Sequence, residues 1–560
     1  LAENEELQKY QAKYPELFST ALAIEDVPRQ EGIHAAGVIV APDEITKFVP
    51  LRRKAGNDMM LTQWEYPVCE DVGLLKIDAL GLKNLSVIAN TLKQIDEEID
   101  IYNLPLDDPG VYKLFQEGKT TGVFQFSADT VRQLLKEIKP DNFNELVDIN
   151  AMNRPGPLNS GFDKQYRTNR SIARSKYEKI NYLHPDLEEI LSSTYGVILY
   201  QEQVLEMVQK IAGYSLGESD LMRRAIGKKK VDEMNAQRDK FIQGGLKNGY
   251  DQATLQKLWD AIVEFAGYGF NRSHSAAYTL VSYATAWLKV HYPAEYMASL
   301  MSSYAGDSEK VLMYLQEAKQ MGLAILPPDI NNSEPHFTVE GRAIRFGLSS
   351  VKHLGEKAIA EILDKRPFTS LEDAYERCDR RQLHKGVYDA MIKLGMFDWY
   401  NNDRLAVLRE YYKLRGESYD GLLVWTPELG LAMEKELLGF YVSGHPLEGL
   451  PTVDWDALYP GDQVEIPGII QKVKQIKTKR GDEMAFLTLE TQVWTKDVVV
   501  FPDLWTKRQE RCTDGNIVIV RGRKDDQRDG ESFIADDILL YTKDMPRSLI
   551  DRYRTAYKPF

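Results

Sequence analysis

Apolar and polar positions change rhythm several times along the chain. Residues 1–33 carry Glu, Lys and Gln at helical spacing and predict a polar helical segment. Over 34–82 the rhythm shortens, and HAAGVIVAP, MMLTQWEY and GLLKIDALGL read as strands. Helical periodicity returns at 84–98 and 109–139 and dominates from 140 to about 325. It is broken by NRPGPLNSG (153–161), YGVILY (195–200) and GYGFNRSHS (267–275). ILPPDINNSEPHF (325–337) is a loop-rich boundary, followed by a smaller helical region over roughly 346–440. The tail is different again. GDQVEIPGIIQKVKQIKT, EMAFLTLET, KDVVVFP, NIVIVRGRK and ESFIADDILL predict five strands, with helical DLWTKRQERC between the third and fourth, the order of a small OB-type barrel.

A length of 560 residues exceeds one core and predicts about three to five domains. The net charge of −14 excludes a wholly basic nucleic-acid binder but leaves room for local basic patches. Cys69, Cys378 and Cys512 lie far apart, giving neither a metal spacing nor a disulfide framework, which fits a reducing cytoplasm. No apolar run approaches the ~18 residues of a membrane span, and no membrane role is expected. The first residue is Leu1, so the chain is expected to be a piece of something longer.

GLLKIDALGL (73–82) places a lysine and an acid in an otherwise apolar strand. Alternation puts Val72, Leu74, Lys76, Asp78 and Leu80 on one face. Lys76 and Asp78 are then either a solvated ion pair or a metal-binding carboxylate with a cation beside it. GYSLGESDLMRRAIGKKKVDEM (213–234) gathers Arg223, Arg224, Lys228, Lys229 and Lys230. It reads as a solvated helix face or as a triphosphate or nucleic-acid site. In FAGYGFNRSHSAAY, Asn271, Arg272, Ser273 and His274 precede a long helix, a place suited either to an anion or to plain capping over an aromatic core. Arg154 precedes a rigid Pro-Gly-Pro turn that either fixes its guanidinium or leaves it merely exposed. FGLSSVKHLGEKAIAEIL (346–363) resembles a helix-hairpin-helix with Gly355 at the bend, although a plain helical hairpin has the same pattern. In the tail, KTKRGDEM with Phe486 and Phe501 suggests single-strand binding, which barrel topology alone does not establish. Asp329 in PPDINN reads as structural.

Together these stretches resemble one family, the alpha subunits of bacterial DNA polymerase III, the C-family replicative polymerases. The matching segments run in order: HAAGVIVAP, GLLKIDALGL, TGVFQFS, NRPGPL, YGVILYQEQV, GYSLGESDLMRRAIGKKK, FAGYGFNRSHSAAY, HYPAEYMASLM, ILPPDIN, the hairpin and LLGFYVSGHPL. The resemblance implies a multidomain α+β chain. Residues 1–33 would end the thumb, 34–83 would be the last part of a nucleotidyltransferase-like palm, and 84–345 would form mostly helical fingers. A helix-hairpin-helix and clamp-proximal region would cover 346–450, an OB-fold domain 455–545 and a tail 546–560. Asp78 would be the third catalytic aspartate and a Mg²⁺ ligand, with Lys76 beside it. Arg154, Arg223, Arg224, Lys228, Lys229, Lys230, Asn271, Arg272, Ser273 and His274 would line the path of the triphosphate and template. Gly355, Lys352 and Lys357 would touch the DNA backbone. The implied partners are primer-template DNA, deoxynucleoside triphosphates, a sliding clamp and other replisome subunits, in the cytoplasm.

The sequence departs from the family pattern in several places. It has no Pro-Asp-x-Asp-x-Asp segment, palm glycine-serine loop or phosphoesterase-like domain, and no clamp-binding peptide stands out between 400 and 440. Arg272 replaces a lysine common in FNRSHS-like segments. The resemblance therefore covers about the C-terminal half of such a polymerase. It implies two-metal DNA polymerisation with the chain inactive by itself. The alternative is a non-catalytic DNA-binding remnant or one half of a split polymerase. Neither a P-loop nor a ligase lysine motif is present to support another nucleotide enzyme.

Overall fold

The computed structural model describes residues 5–25, 27, 32–34, 36–53, 59–79, 81–154, 161–175, 178–227, 231–266, 269–421, 424–453, 455, 458–459, 461–478, 481–525 and 532–541. Two compact units divide them at 83/84.

The first unit holds helices α1 (Glu5–Lys13) and α2 (Pro15–Ile24), strands β1 (Gly37–Val40), β2 (Leu51–Arg53) and β3 (Met60–Thr62), helix α3 (Tyr66–Asp71) and strand β4 (Leu75–Asp78). β1 and β4 pair antiparallel, as do β2 and β3. Among the described residues its core is small: Val49, Cys69 and Leu74 are buried, with Ile39, Phe48 and Tyr66 packed against them. One face of the β1–β4 pair is apolar and exposed, formed by Val38, Val40, Leu75 and Ile77. The expected five-residue face is shorter than the sequence pattern predicts. Gly73 takes a left-handed conformation (φ +86°) that ends α3 and turns the chain, so Val72 and Leu74 precede the strand. Lys76 and Asp78 do share a face, and Leu80 lies outside the described residues.

The second unit is mostly helical before its barrel. The helices that frame the candidate site are α4 (Asp129–Ile138), α5 (Phe143–Met152), α6 (Phe162–Arg174), α7 (Gln201–Ala212), α8 (Leu216–Gly227) and α9 (Arg272–His291). α5 begins where Asn142 accepts the Glu145 N–H. α8 begins at Ser215 and Glu218, each bonding the other's backbone N–H in a capping box.

Two carboxylates on the buried side of α5 tie this region together. Glu145 is 2 % exposed and accepts a fork from Arg170 (2.6 and 2.8 Å), a bond from Arg174 (3.1 Å), the Tyr195 hydroxyl (2.7 Å) and the Asp141 N–H. Arg170 also donates to the carbonyl of Ile138, the last residue of α4, and to that of Lys139, which caps it. One turn on, Asp148 accepts hydroxyls from Tyr166 (2.7 Å) and Tyr200. Burial outweighs those two donors and pushes the Asp148 carboxyl up to about 7.

A small three-stranded sheet, β5 (Ala324–Leu326), β6 (Thr338–Glu340) and β7 (Ala343–Arg345), follows. Asp329 sits beside it and accepts the N–H groups of Asn331 and Asn332, a structural turn. In the predicted hairpin at 346–363 the first limb is a single 3₁₀ turn, Leu348–Ser350, and only the second is a full helix, α10 (Glu356–Lys365). A side chain at Gly347, just before that turn, would strike the backbone of His336 and Phe337 at 2.5–2.7 Å. Helix α11 (Pro427–Leu438) then leads to the barrel.

The barrel is closed in the order β10–β12–β11–β8–β9, from β8 (Gln463–Lys477), β9 (Glu483–Glu490), β10 (Thr495–Val500), β11 (Ile517–Lys524) and β12 (Ser532–Leu540). β10 and β12 pair parallel and the other neighbours antiparallel, with helix α12 (Pro502–Arg508) after the third strand. This is OB topology. Lys435 of α11 holds the buried Glu490 carboxylate of β9 at 2.9 Å, fastening the barrel to the helical part.

Replacing Glu145 with Ala leaves Arg170 buried without its carboxylate, and a loss of about 3–5 kcal/mol is expected in urea unfolding. Asp148 sets a pH dependence. Its folded pKa of about 7 lies above the usual 3.8, so between pH ~4 and ~7 the folded chain holds a proton the unfolded chain has released. Its contribution to stability therefore falls as pH rises through that window. Asp148→Asn should gain stability relative to the parent between pH 5 and 8; an unchanged difference in urea midpoint would exclude Asp148 as the titrating group.

Candidate active-site elements

In the first unit, the β1–β4 register places Asp78 opposite Gly37 and Lys76 opposite Ile39. Lys76 Nζ lies 3.1 Å from Asp78 Oδ1 and 5.1 Å from the centre of the Tyr66 ring, so a cation and an aromatic face brace the carboxylate. His34 Nδ1 is 3.8 Å from the same oxygen and accepts the Ala36 N–H. A Cβ on Gly37 would come within 2.9 Å of His34 Nδ1 and Lys76 Cε and 3.1 Å of Asp78 Oδ1. The glycine is what lets the three polar groups converge. Among the described residues no group of three or more His, Cys, Asp or Glu is arranged to hold a metal.

In the second unit, the start of α7, the middle of α8 and the start of α9 meet. Tyr200 bridges to Phe270, and the Gln201 N–H donates to the Phe270 carbonyl at 2.9 Å. This sets Gln201 and Glu202 of α7 against Asn271 and Arg272 of α9. Asn271 caps α9 by accepting the His274 N–H at 2.8 Å. Its amide also donates to Glu202 Oε1 at 2.7 Å, while the Arg272 N–H reaches both Glu202 oxygens at 3.1 Å. The Arg272 guanidinium lies 5.6 Å from the Tyr200 ring centre and that of Arg154 4.3 Å from the Phe270 ring centre. Phe270, His274 and Tyr278 continue as a ladder of rings at 5.4 and 4.4 Å. On α8, Asp220 carries two arginines. Arg223 Nε and Nη2 donate to Oδ1 at 3.0 and 2.7 Å, and Arg224 Nε and Nη2 to Oδ2 at 2.9 and 2.6 Å. The Arg223 and Arg224 guanidiniums hold the Asp220 carboxyl below the usual carboxylate range. Arg223 Nη1 also reaches Gln201 Oε1 at 3.4 Å, joining α8 to α7.

The fold thus brings Arg154, Arg223, Arg224, Asn271, Arg272 and His274 into one neighbourhood, with Ser273 exposed on the first turn of α9. Lys228, Lys229 and Lys230 and the Pro-Gly-Pro turn lie outside the described residues. Farther along, Lys352 donates from Nζ to the Glu436 carbonyl at 2.7 Å, while Gly355 and Lys357 are exposed at the start of α10. On the barrel, Lys474 pairs across strands with Phe486, and Phe501 is 47 % exposed. Sequence reasoning missed His34, Gly37, Glu202 and Asp220. Gly37 stands in the quoted HAAGVIVAP strand, and Asp220 lies three and four residues before the two arginines it holds.

Three family models match. Residues 1–81 match the bacterial DNA polymerase III alpha NTPase domain, 84–249 the finger domain of the same subunit, and 322–407 a helix-hairpin-helix motif. The DNA polymerase III subunit alpha of Aquifex aeolicus is 38% identical over 95% of this chain and 48% of its own length. That of Halalkalibacterium halodurans is 37% identical over 94% of this chain and 50% of its own. That of Mycobacterium tuberculosis is 34% identical over 94% and 49%. The chain spans about half the length of the curated relatives it matches. With Asp78 braced on its strand and the finger-domain arginines gathered around α7, α8 and α9, the chain belongs to the family of bacterial DNA polymerase III alpha subunits.

Proposed function

We propose that the chain works as part of a replicative DNA polymerase that adds deoxynucleotides to a primer 3′ end. The observation that carries this reading is Asp78, held by Lys76 and given room by Gly37 in the segment that matches the polymerase NTPase-domain model. Asp78 would hold Mg²⁺, which when bound neutralises charge on the reacting phosphate and activates the primer oxygen. One carboxylate fits a single place in such a site. Two-metal transfer takes several carboxylates around metals about 4 Å apart, and the others must come from outside the described residues. Lys76 keeps Asp78 oriented and offsets its charge until metal and nucleotide arrive.

The fingers side chains supply binding. A nucleoside triphosphate brings about four negative charges, and Arg154, Arg223, Arg224 and Arg272 offer guanidiniums that can fork onto phosphate oxygens. The rings of Phe270, His274 and Tyr278 form a surface against which a base can rest. Primer-template DNA is the second substrate, gripped by the backbone and lysines around Gly355 and by cationic and aromatic positions of the barrel. A sliding clamp and further replisome subunits complete the assembly. No described helix is long and apolar enough to cross a membrane, and a cytoplasmic place follows from the proposed work on DNA. A second reading, a non-catalytic DNA-binding half, draws on the lack of a metal-holding group of acids around Asp78 among the described residues.

Asp78→Asn, made in a polymerase of the relatives' length that carries this chain, should lower primer extension about a thousandfold or more, with primer-template affinity within about twofold. Extension near the parent rate would remove Asp78 from the metal site. The isolated chain should bind primer-template without extending it, because among the described residues no second acid joins Asp78 to hold two metals. Robust Mg²⁺-dependent extension by the chain alone would refute that expectation.

A further inference from the structure

Two of the arginines that the proposed function assigns to nucleotide phosphates, Arg223 and Arg224, are already engaged by a protein carboxylate, and a second carboxylate takes N–H donors at the start of α9. Asp220 takes a guanidinium on each oxygen, and Glu202 takes the Asn271 amide and the Arg272 N–H. The two acids belong to one bonded chain, since Arg223 reaches Gln201, the neighbour of Glu202. Asp220 offers one oxygen to each guanidinium fork and Glu202 meets a pair of N–H donors, contacts that phosphate oxygens also make.

We infer that Asp220 and Glu202 are anion placeholders, positioning residues that keep the Arg223 and Arg224 guanidiniums and the Asn271 and Arg272 N–H donors paired in the free state and are displaced when a triphosphate binds. This inference rests on the reading that Arg223 and Arg224 receive the triphosphate. Burial separates these pairs from the structural one nearby. Arg170 and Glu145 have side chains 10% and 2% exposed, whereas Arg223, Arg224 and Asp220 are 36%, 62% and 35% exposed. A pair at that exposure is weak and solvent-screened, so a polyanion outcompetes it. The arginines of a free fingers surface without such acids would repel one another and attract any polyanion. The placeholders favour a ligand carrying several charges in one short chain over a single phosphate, because one phosphate returns little more than the carboxylate it displaces. They also leave each guanidinium oriented before the ligand comes.

The test is calorimetric titration of the full chain with inorganic tripolyphosphate, comparing parent, Asp220→Asn, Glu202→Gln, Asp220→Glu and the double variant Arg223→Ala/Arg224→Ala. Loss of a placeholder should tighten binding by about two- to fivefold per acid, and Asp220→Glu should bind like the parent. Tightening is a gain that a damaged fold does not produce. Weaker or unchanged binding by both Asp220→Asn and Glu202→Gln, with the double arginine variant still losing affinity, would overturn the placeholder role and leave the triphosphate reading standing. Unchanged binding by the double arginine variant, or no binding by any form, would overturn the triphosphate reading and the placeholder role with it.

Discussion

The fingers site hangs on one buried bond, the Tyr200 hydroxyl on Asp148. Tyr200 is the residue just before α7, and it bridges to Phe270, the residue just before the cap of α9. Fixing one phenol therefore fixes where two helices begin. Asp148 also holds Tyr166 of α6, and Ser275 of α9 donates to the Val147 carbonyl of α5 at 2.8 Å. The Asp148 carboxylate thus joins α5, α6 and the start of α7, and the neighbouring Val147 carbonyl ties in α9. Glu202, Asn271 and Arg272 lie at the starts of α7 and α9, so the bond that sets where those helices begin also sets where these side chains stand.

Burial sorts the charge pairs of this region into two kinds with the same chemistry. Glu145 and Arg170 are enclosed, satisfied on nearly every polar atom, and costly to separate because either partner alone is left without water. Asp220 and its arginines are at the surface, where water replaces a lost partner. The first kind builds the scaffold and the second is free to exchange. This is compatible with a net charge of −14: on α8 an acid, Asp220, sits beside the arginines it pairs with.

Much of the architecture is legible in the sequence because it follows from period and punctuation. Five short apolar runs with one late helix gave the barrel its order, and two-residue alternation put Lys76 and Asp78 on one face. What period does not encode is where a strand starts. Gly73 ends a helix in the middle of a run that otherwise reads as continuous strand. Nor does it encode which acids go inside. Glu145 and Asp148 stand three apart in FNELVDINAM and look like an ordinary polar stripe, yet they face the interior because Arg170, Tyr166, Tyr195 and Tyr200 arrive from distant segments to satisfy them. Asp220 is hidden for the opposite reason, since an acid one turn from an arginine is an ordinary pattern on a helix surface, and Glu202 because the Asn271 and Arg272 N–H groups it accepts come from a distant segment.

Asp78 presents a different physical problem from the fingers. Its unit buries only Val49, Cys69 and Leu74 among the described residues, so packing contributes little to holding a carboxylate in place. Local constraints do the holding instead. The antiparallel register sets a glycine across from the acid, the glycine admits Lys76 and His34 within reach of one oxygen, and Tyr66 closes over the lysine. A carboxylate held this way keeps its direction but has little enclosure. An exposed carboxylate beside a lysine is paired well enough to stay ordered and is open enough to give up that pairing to a divalent cation, whose double charge at closer range outweighs a single ammonium.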